Sequence, residues 1–161
     1  MPTSIIIRPA EPRDVDGMIA LLKSLFGIEA DFDFDEARQR AGLDLLLRTG
    51  NGCVLVAETA GRVVGMCSVQ TVVSTAEGGL SGWVEDVVVA GDCQGRGIGR
   101  ALLEQLEAWA TGHGVTRLQL LADRNNAAAL GFYQRLGWDG AALVALRTHP
   151  GDSPHRKPSA H

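Results

Sequence analysis

The chain has 161 residues and a mass of 17.1 kDa, is 45% hydrophobic and 21% charged, and carries a net charge of −4 with a pI near 5.5. That length fits one domain able to bury a core without disulfide or metal staples, and the composition excludes fibrous and disordered classes. The charge balance excludes a global basic field for gripping nucleic acid or an anionic membrane surface.

No apolar run approaches the roughly 18 to 20 residues of a membrane helix. The start, Met1-Pro2-Thr3-Ser4, lacks the cationic and apolar regions of a secretory signal. Cys53, Cys67 and Cys93 form no CxxC pair and have no nearby histidine at ligand spacing. A disulfide framework and a metal site are therefore not expected, and the reading is a cytoplasmic protein.

In chain order, Ile5-Ile6-Ile7-Arg8 reads as a short strand ended by Pro9 and Pro12. Asp14 is an N-cap or first-turn acid. Val15, Met18, Ile19, Leu22 and Leu25–Phe26 follow at helical spacing, and Gly27 is expected to stop the helix. A second helix is predicted from about Asp35 to Arg48, with Ala37, Ala41, Leu45 and Leu46 on one face. Cys53 to Glu58 and Val63 to Val69, joined by Thr59-Ala60-Gly61-Arg62, form an antiparallel hairpin. Gly78-Gly79 turns into a strand, Trp83 to Val89. A glycine-rich stretch then opens a helix striped with Ile98, Ala101, Leu102, Leu106 and Trp109, which Gly112 and Gly114 end. Leu118 to Leu121 is a strand, Ala127 to Leu136 a helix closed by Gly137, and Ala141 to Arg147 a last strand. The order β-α-α-β-β-β-α-β-α-β describes an α/β (α+β) fold, a mixed sheet flanked by helices. It occupies one domain over residues 1–147, and the polar composition of residues 148–161 predicts a disordered tail.

Three constellations carry chemistry. In Gln94-Gly95-Arg96-Gly97-Ile98-Gly99-Arg100 alternate glycines at a strand-to-helix junction let backbone N–H groups converge. The helix start and two arginines add positive charge, which together make a cradle for phosphate oxygens. The spacing matches neither the nucleotide-binding G-x-x-x-x-G-K-[ST] loop nor the dinucleotide fingerprint G-x-G-x-x-G. Glu85 and Asp86 lie inside a valine strand, where a carboxylate must be paired or hydrated. Alternation puts Glu85 on the face of Trp83, Val87 and Val89 and Asp86 on the other. Burial there would raise a carboxylate's pKa and suit it to act as a general base; an ion pair with an arginine on a neighbouring strand is the alternative. Asn125 or Asn126 can cap the helix that carries Tyr133, about two turns on. That phenol is either a proton donor or a packed core residue.

With these residues in view the chain resembles the general N-acetyltransferase (GNAT) superfamily. Gln94 to Gly99 fits its acetyl-CoA signature, (Gln/Arg)-x-x-Gly-x-(Gly/Ala), and Asn126-x-x-Ala129-x-x-Phe132-Tyr133-x-x-x-Gly137-Trp138 is similar to its second motif. Ile7-Arg8-Pro9-Ala10 followed by Asp14 resembles its first strand and helix. The resemblance spans residues 5–147 and implies a mostly antiparallel central sheet with about four helices and acetyl-CoA as co-substrate. It implies that the backbone of Val87, Val88 and Val89 pairs with the pantetheine arm. The amides of Gly95, Arg96, Gly97, Ile98 and Gly99, with Gln94 and the Arg96 and Arg100 side chains, would hold the pyrophosphate, and Asn126 would touch the cofactor arm. Tyr133 would protonate the departing thiolate, with Glu85 as the base and Asp86 as second choice.

Direct transfer to a primary amine in a ternary complex follows, with no metal and no acyl-cysteine, although Cys93 beside the loop is expected to meet alkylating reagents. A non-catalytic acyl-CoA-binding regulatory module is the alternative. Family members shape the acceptor site with the loop between the first two helices. Here Asp31, Phe32, Asp33 and Phe34, followed by Asp35 and Glu36, would suit a cationic, partly apolar amine on a small molecule or peptide, or simply cap the next helix. Nucleic acid and membrane are not expected partners, and the chain is read as a monomer or homodimer.

Overall fold

A computed structural model describes residues 4–28 and 32–151. Five strands line up as β1 (Ile6–Pro9), β2 (Gly52–Thr59), β3 (Arg62–Ser74), β4 (Gly79–Val89) and β5 (Val115–Leu120), in sequence order across one sheet. The first three junctions are antiparallel and β4–β5 is parallel. The β2–β3 hairpin closes through Ala60 and Gly61, both at positive φ (50° and 74°), the two-residue geometry that matches strand twist. The parallel step needs a crossover, which α3 (Ile98–Gly112) supplies.

Every residue of β3 from Val64 to Val69 is buried, so both faces of the strand are covered. On one face α3 packs so closely over Gly65 that a Cβ there would lie 3.1 Å from Ile98 and Leu102. A bulge at Val64, between the Ala57–Gly65 and Glu58–Val63 pairs, turns Val63 to the opposite face. There α1 (Val15–Ile28) crosses the sheet, and a Cβ on its Gly17 would meet Val63 at 2.9 Å. α2 (Glu36–Thr49) packs beside α1.

Several local expectations are corrected. α1 runs through Gly27 to Ile28, because one glycine weakens a helix without ending it. α2 turns Leu43 inward, with Leu46 and Leu47 half-buried, and leaves Ala37, Ala41 and Leu45 exposed. Residues 141–147 form no strand. Leu143, Val144 and Leu146 are 88%, 73% and 92% exposed, and among the described residues β5 ladders only with β4. An apolar run becomes a strand only where an edge pairs with it. Residues 152–161, most of the expected tail, lie outside the described residues.

The link from β1 to α1 is held by charge. Arg8 grips Asp14 through two parallel bonds (Nη1–Oδ2 2.7 Å, Nη2–Oδ1 2.8 Å), and its Nε donates to Glu58 Oε2 at 3.0 Å. Asp14 is 4% exposed and also accepts from the Glu11 N–H. The Arg8 hydrogen bonds hold the Asp14 carboxyl below its ordinary pKa. A lowered pKa means the group stabilises the fold fully above its unfolded value, about 4, and the contribution fades as pH falls through the folded value. Asp14→Ala should therefore cost about 3 kcal/mol in urea denaturation at pH 7 and clearly less at pH 3. An equal loss at both values would mean that the ion pair is not what stabilises this corner.

Candidate active site

β4 begins between two strands and ends beside one. Its ladder with β5 stops at Val84–Leu120, whereas β4 continues against β3 to Val89. Along Glu85–Val89 the side that faced β5 has no strand beside it among the described residues. A backbone edge of this kind can take an extended ligand as an added strand.

The same stretch is bulged. Met66 pairs with Val88 and Ser68 with Glu85, so one residue of β3, Cys67, stands opposite Asp86 and Val87. Asp86 has φ 55°, a left-handed conformation uncommon outside glycine. The bulge corrects the alternation expected from sequence: Glu85 shares its face with Trp83 and Val88, not with Val87 and Val89. The expected desolvation is corrected as well. Glu85 stands exposed, and its Oε1 accepts a hydrogen bond from Trp83 Nε1 at 2.8 Å. Its partner is an indole rather than an arginine. Asp86 and Val87 are half-buried, and Val88 is buried.

Beyond β4, a short 3-10 turn (Gly91–Cys93) leads into the glycine loop. Gln94 Nε2 donates to Val89 O at 3.2 Å, tying the loop back to the strand end. Gly95 and Gly97 both have φ 79°, and a Cβ at either would face open space, so backbone conformation rather than crowding demands glycine here. Gly97 is the N-cap of α3, and no side chain caps that helix start. Its first N–H groups thus point outward as anion donors. The exposed Arg96 lies beside them, and Arg100 is paired with Glu104 at 2.8 Å. This donor set fits the pyrophosphate of coenzyme A.

Gly99 serves a different end. A Cβ there would come within 3.1 Å of Phe132 Cζ, so its absence lets α4 (Ala127–Arg135) close on the start of α3. Asn126 caps α4, its Oδ1 accepting from the Ala129 N–H at 3.1 Å. Tyr133 is half-buried between Phe132 (5.2 Å between ring centroids) and Trp138 (5.8 Å). It packs on the core as well as carrying a hydroxyl.

The expected acceptor loop lies between α1 and α2. Asp31 lies outside the described residues. Asp35 caps α2, accepting from the Arg38 N–H at 3.3 Å. Phe34 packs against the core, Asp33 is exposed, and the Phe32 ring already carries a cation, the Arg147 guanidinium at 4.8 Å. Cys93 is 4% exposed, which corrects the expectation that it meets alkylating reagents. Cys67 is buried too, and its thiol is pushed up to about 12. Trp83 is the residue that motif reading misses; the spacing Trp83-x-Glu85 on one strand face is the signal for it. A separate cavity of about 680 Å³, between Gly17 and Ser24 of α1 and the Arg62–Asp92 ion pair, is lined by none of the expected site residues. Among the described residues no cluster of three or more His, Cys, Asp or Glu could hold a metal, and no helix is long and apolar enough to cross a membrane.

Comparison with known proteins agrees with this geometry. The model of the Acetyltransferase (GNAT) family matches residues 18–138. The chain is 30% identical over 141 residues to the L-methionine sulfoximine/L-methionine sulfone acetyltransferase of Pseudomonas aeruginosa, covering 84% of this chain and 81% of that one. Its fold is similar to glucosamine-6-phosphate N-acetyltransferase from Arabidopsis thaliana (TM-score 0.72, 21% identity, 90% of this chain and 98% of that one). It is also similar to the aminoglycoside N-acetyltransferase AAC(6')-Iy solved with CoA (TM-score 0.78, 15% identity, 94% and 98%). From the bulged strand, the glycine loop and the family match together, the chain belongs to the GNAT family of acetyltransferases.

Proposed function

We propose that this acetyltransferase moves an acetyl group from acetyl-CoA to the primary amine of a small amino-acid-like molecule, by direct attack while both are bound. The observation that carries the reading is the bulged stretch of β4 that has no strand on its β5 side among the described residues and leads to a helix start without a side-chain cap. Acetyl-CoA, when bound, supplies the activated acyl group. The backbone of Val87 to Val89 orients its extended arm, and the amides from Gly95 to Gly99 with Arg96 and Arg100 hold its pyrophosphate, while Gln94 keeps the loop in place.

The rest of the chemistry falls to side chains around the bulge. A free amine is mostly protonated at neutral pH, so a base must release its lone pair. Glu85, exposed beside the open edge, takes that proton at its carboxylate; Asp86 is the second choice. A backbone N–H of the bulged segment faces the carbonyl oxygen as negative charge builds on it. The Tyr133 hydroxyl gives its proton to the thiolate sulfur. With Cys93, next to the loop in sequence, and Cys67 both buried, an acyl-cysteine route gains no support.

A strongly cationic acceptor is the weaker choice, because Asp35 is engaged as a helix cap and Phe32 already stacks under Arg147. The relative at 30% identity acts on amino-acid derivatives, which points the same way. The test is coenzyme A release from acetyl-CoA with L-methionine sulfone, L-methionine sulfoximine, glucosamine 6-phosphate and an aminoglycoside, with thermal shift recorded alongside. Acetyl-CoA should stabilise the protein, and release should depend on the amino-acid derivatives. Stabilisation without release from any amine would favour an acyl-CoA-binding regulatory module instead. In a second experiment, Gly97→Asp sets a carboxylate against phosphate and should weaken acetyl-CoA binding about 100-fold or more by calorimetry. Unchanged affinity would remove the loop from the cofactor site.

A further inference from the structure

Glu85 is held at two points. Its Oε1 accepts from Trp83 Nε1 at 2.8 Å, and its backbone carbonyl accepts from Ser68 Oγ at 3.1 Å. Ser68 is 1% exposed and sits at the rung where the bulge interrupts the β3–β4 ladder. Its hydroxyl therefore serves a carbonyl beside the break in regular pairing. Trp83 is anchored in turn, in register with Gln70 on β3 and Gln119 on β5, one rung before the β4–β5 ladder ends at Val84–Leu120.

An exposed glutamate otherwise samples many rotamers, and ordering it costs side-chain entropy. An indole N–H can only donate and a carboxylate readily accepts, so this contact selects one orientation of the group. We infer that Trp83 and Ser68 are positioning residues for acetyl transfer: Trp83 fixes the Glu85 carboxylate through Oε1, Ser68 fixes the backbone that carries it, and Oε2 is left for the acceptor amine. The inference deepens the reading of Glu85 as the base and rests on it. Neither residue touches the reacting atoms. Their effect comes entirely through where Glu85 stands.

The test pairs Trp83→Phe with Glu85→Gln in a double-variant cycle, using the amine that gives the fastest release in the panel above. An acceptor-free NMR measurement of the Trp83 indole N–H accompanies it. Trp83→Phe keeps the ring and removes the donor. It should lower kcat about tenfold and leave KM for acetyl-CoA within about twofold. In the Glu85→Gln background it should cost no more than about twofold further, and Glu85→Gln should shift the indole signal. Ser68→Ala should reproduce the same split between kcat and KM. Losses that multiply in the double variant, or an indole signal unmoved by Glu85→Gln, would overturn the inference. Wild-type kcat in Glu85→Gln with a shifted indole signal would instead overturn the base assignment beneath it.

Discussion

The structure depends on one place where two neighbouring strands stop pairing. β4 and β5 are laddered only as far as Val84 and Leu120. From there no strand among the described residues lies beside the central strand on that side. The bulge at Asp86 and Val87 falls in this stretch, where a left-handed residue turns the strand locally at a cost of roughly 1–2 kcal/mol. Strain of that kind persists only if the surroundings hold it. Ser68 at the neighbouring carbonyl and the buried Val84 and Val88 on either side do so.

The remaining elements position groups around that opening. α3 can lie against the sheet because Gly65 presents no side chain to Ile98 and Leu102. α4 can close on α3 because Gly99 presents none to Phe132. The Gln94 bond to Val89 couples the loop to the end of the open strand. Thus the anion donors, the strand edge and Tyr133 are set by close backbone approaches more than by side-chain pairs. The Arg8–Asp14–Glu58 network is different: it secures the β1–α1 corner, joining β1, β2 and the start of α1.

Much of this was legible from sequence because it rests on local rules. The Ala60–Gly61 turn, the glycine loop and the Asn126 cap each need only a few adjacent residues, and the signature Gln94 to Gly99 is contiguous. The parts that were not legible are long-range. Alternation assumes an unbroken ladder, so nothing in Trp83-Val84-Glu85-Asp86-Val87 announces that the bulge will regroup Glu85 with Val88. The valines around Glu85 suggested burial, but that side chain stands exposed next to Trp83. The run Ala141 to Arg147 has strand composition, yet no edge pairs with it. The contact of Arg147 with the Phe32 ring joins distant parts of the chain and was not legible either.

The central claim is that the open edge of β4 and the helix start beyond it form one binding surface. Amide hydrogen exchange, followed residue by residue with and without coenzyme A, tests it most directly. The account expects slowed exchange at residues 87–89 and 95–99 together, with the Thr59–Arg62 turn and the cavity beside Arg62 and Asp92 unchanged. Protection confined to that cavity, or a loop that responds while β4 does not, would contradict it.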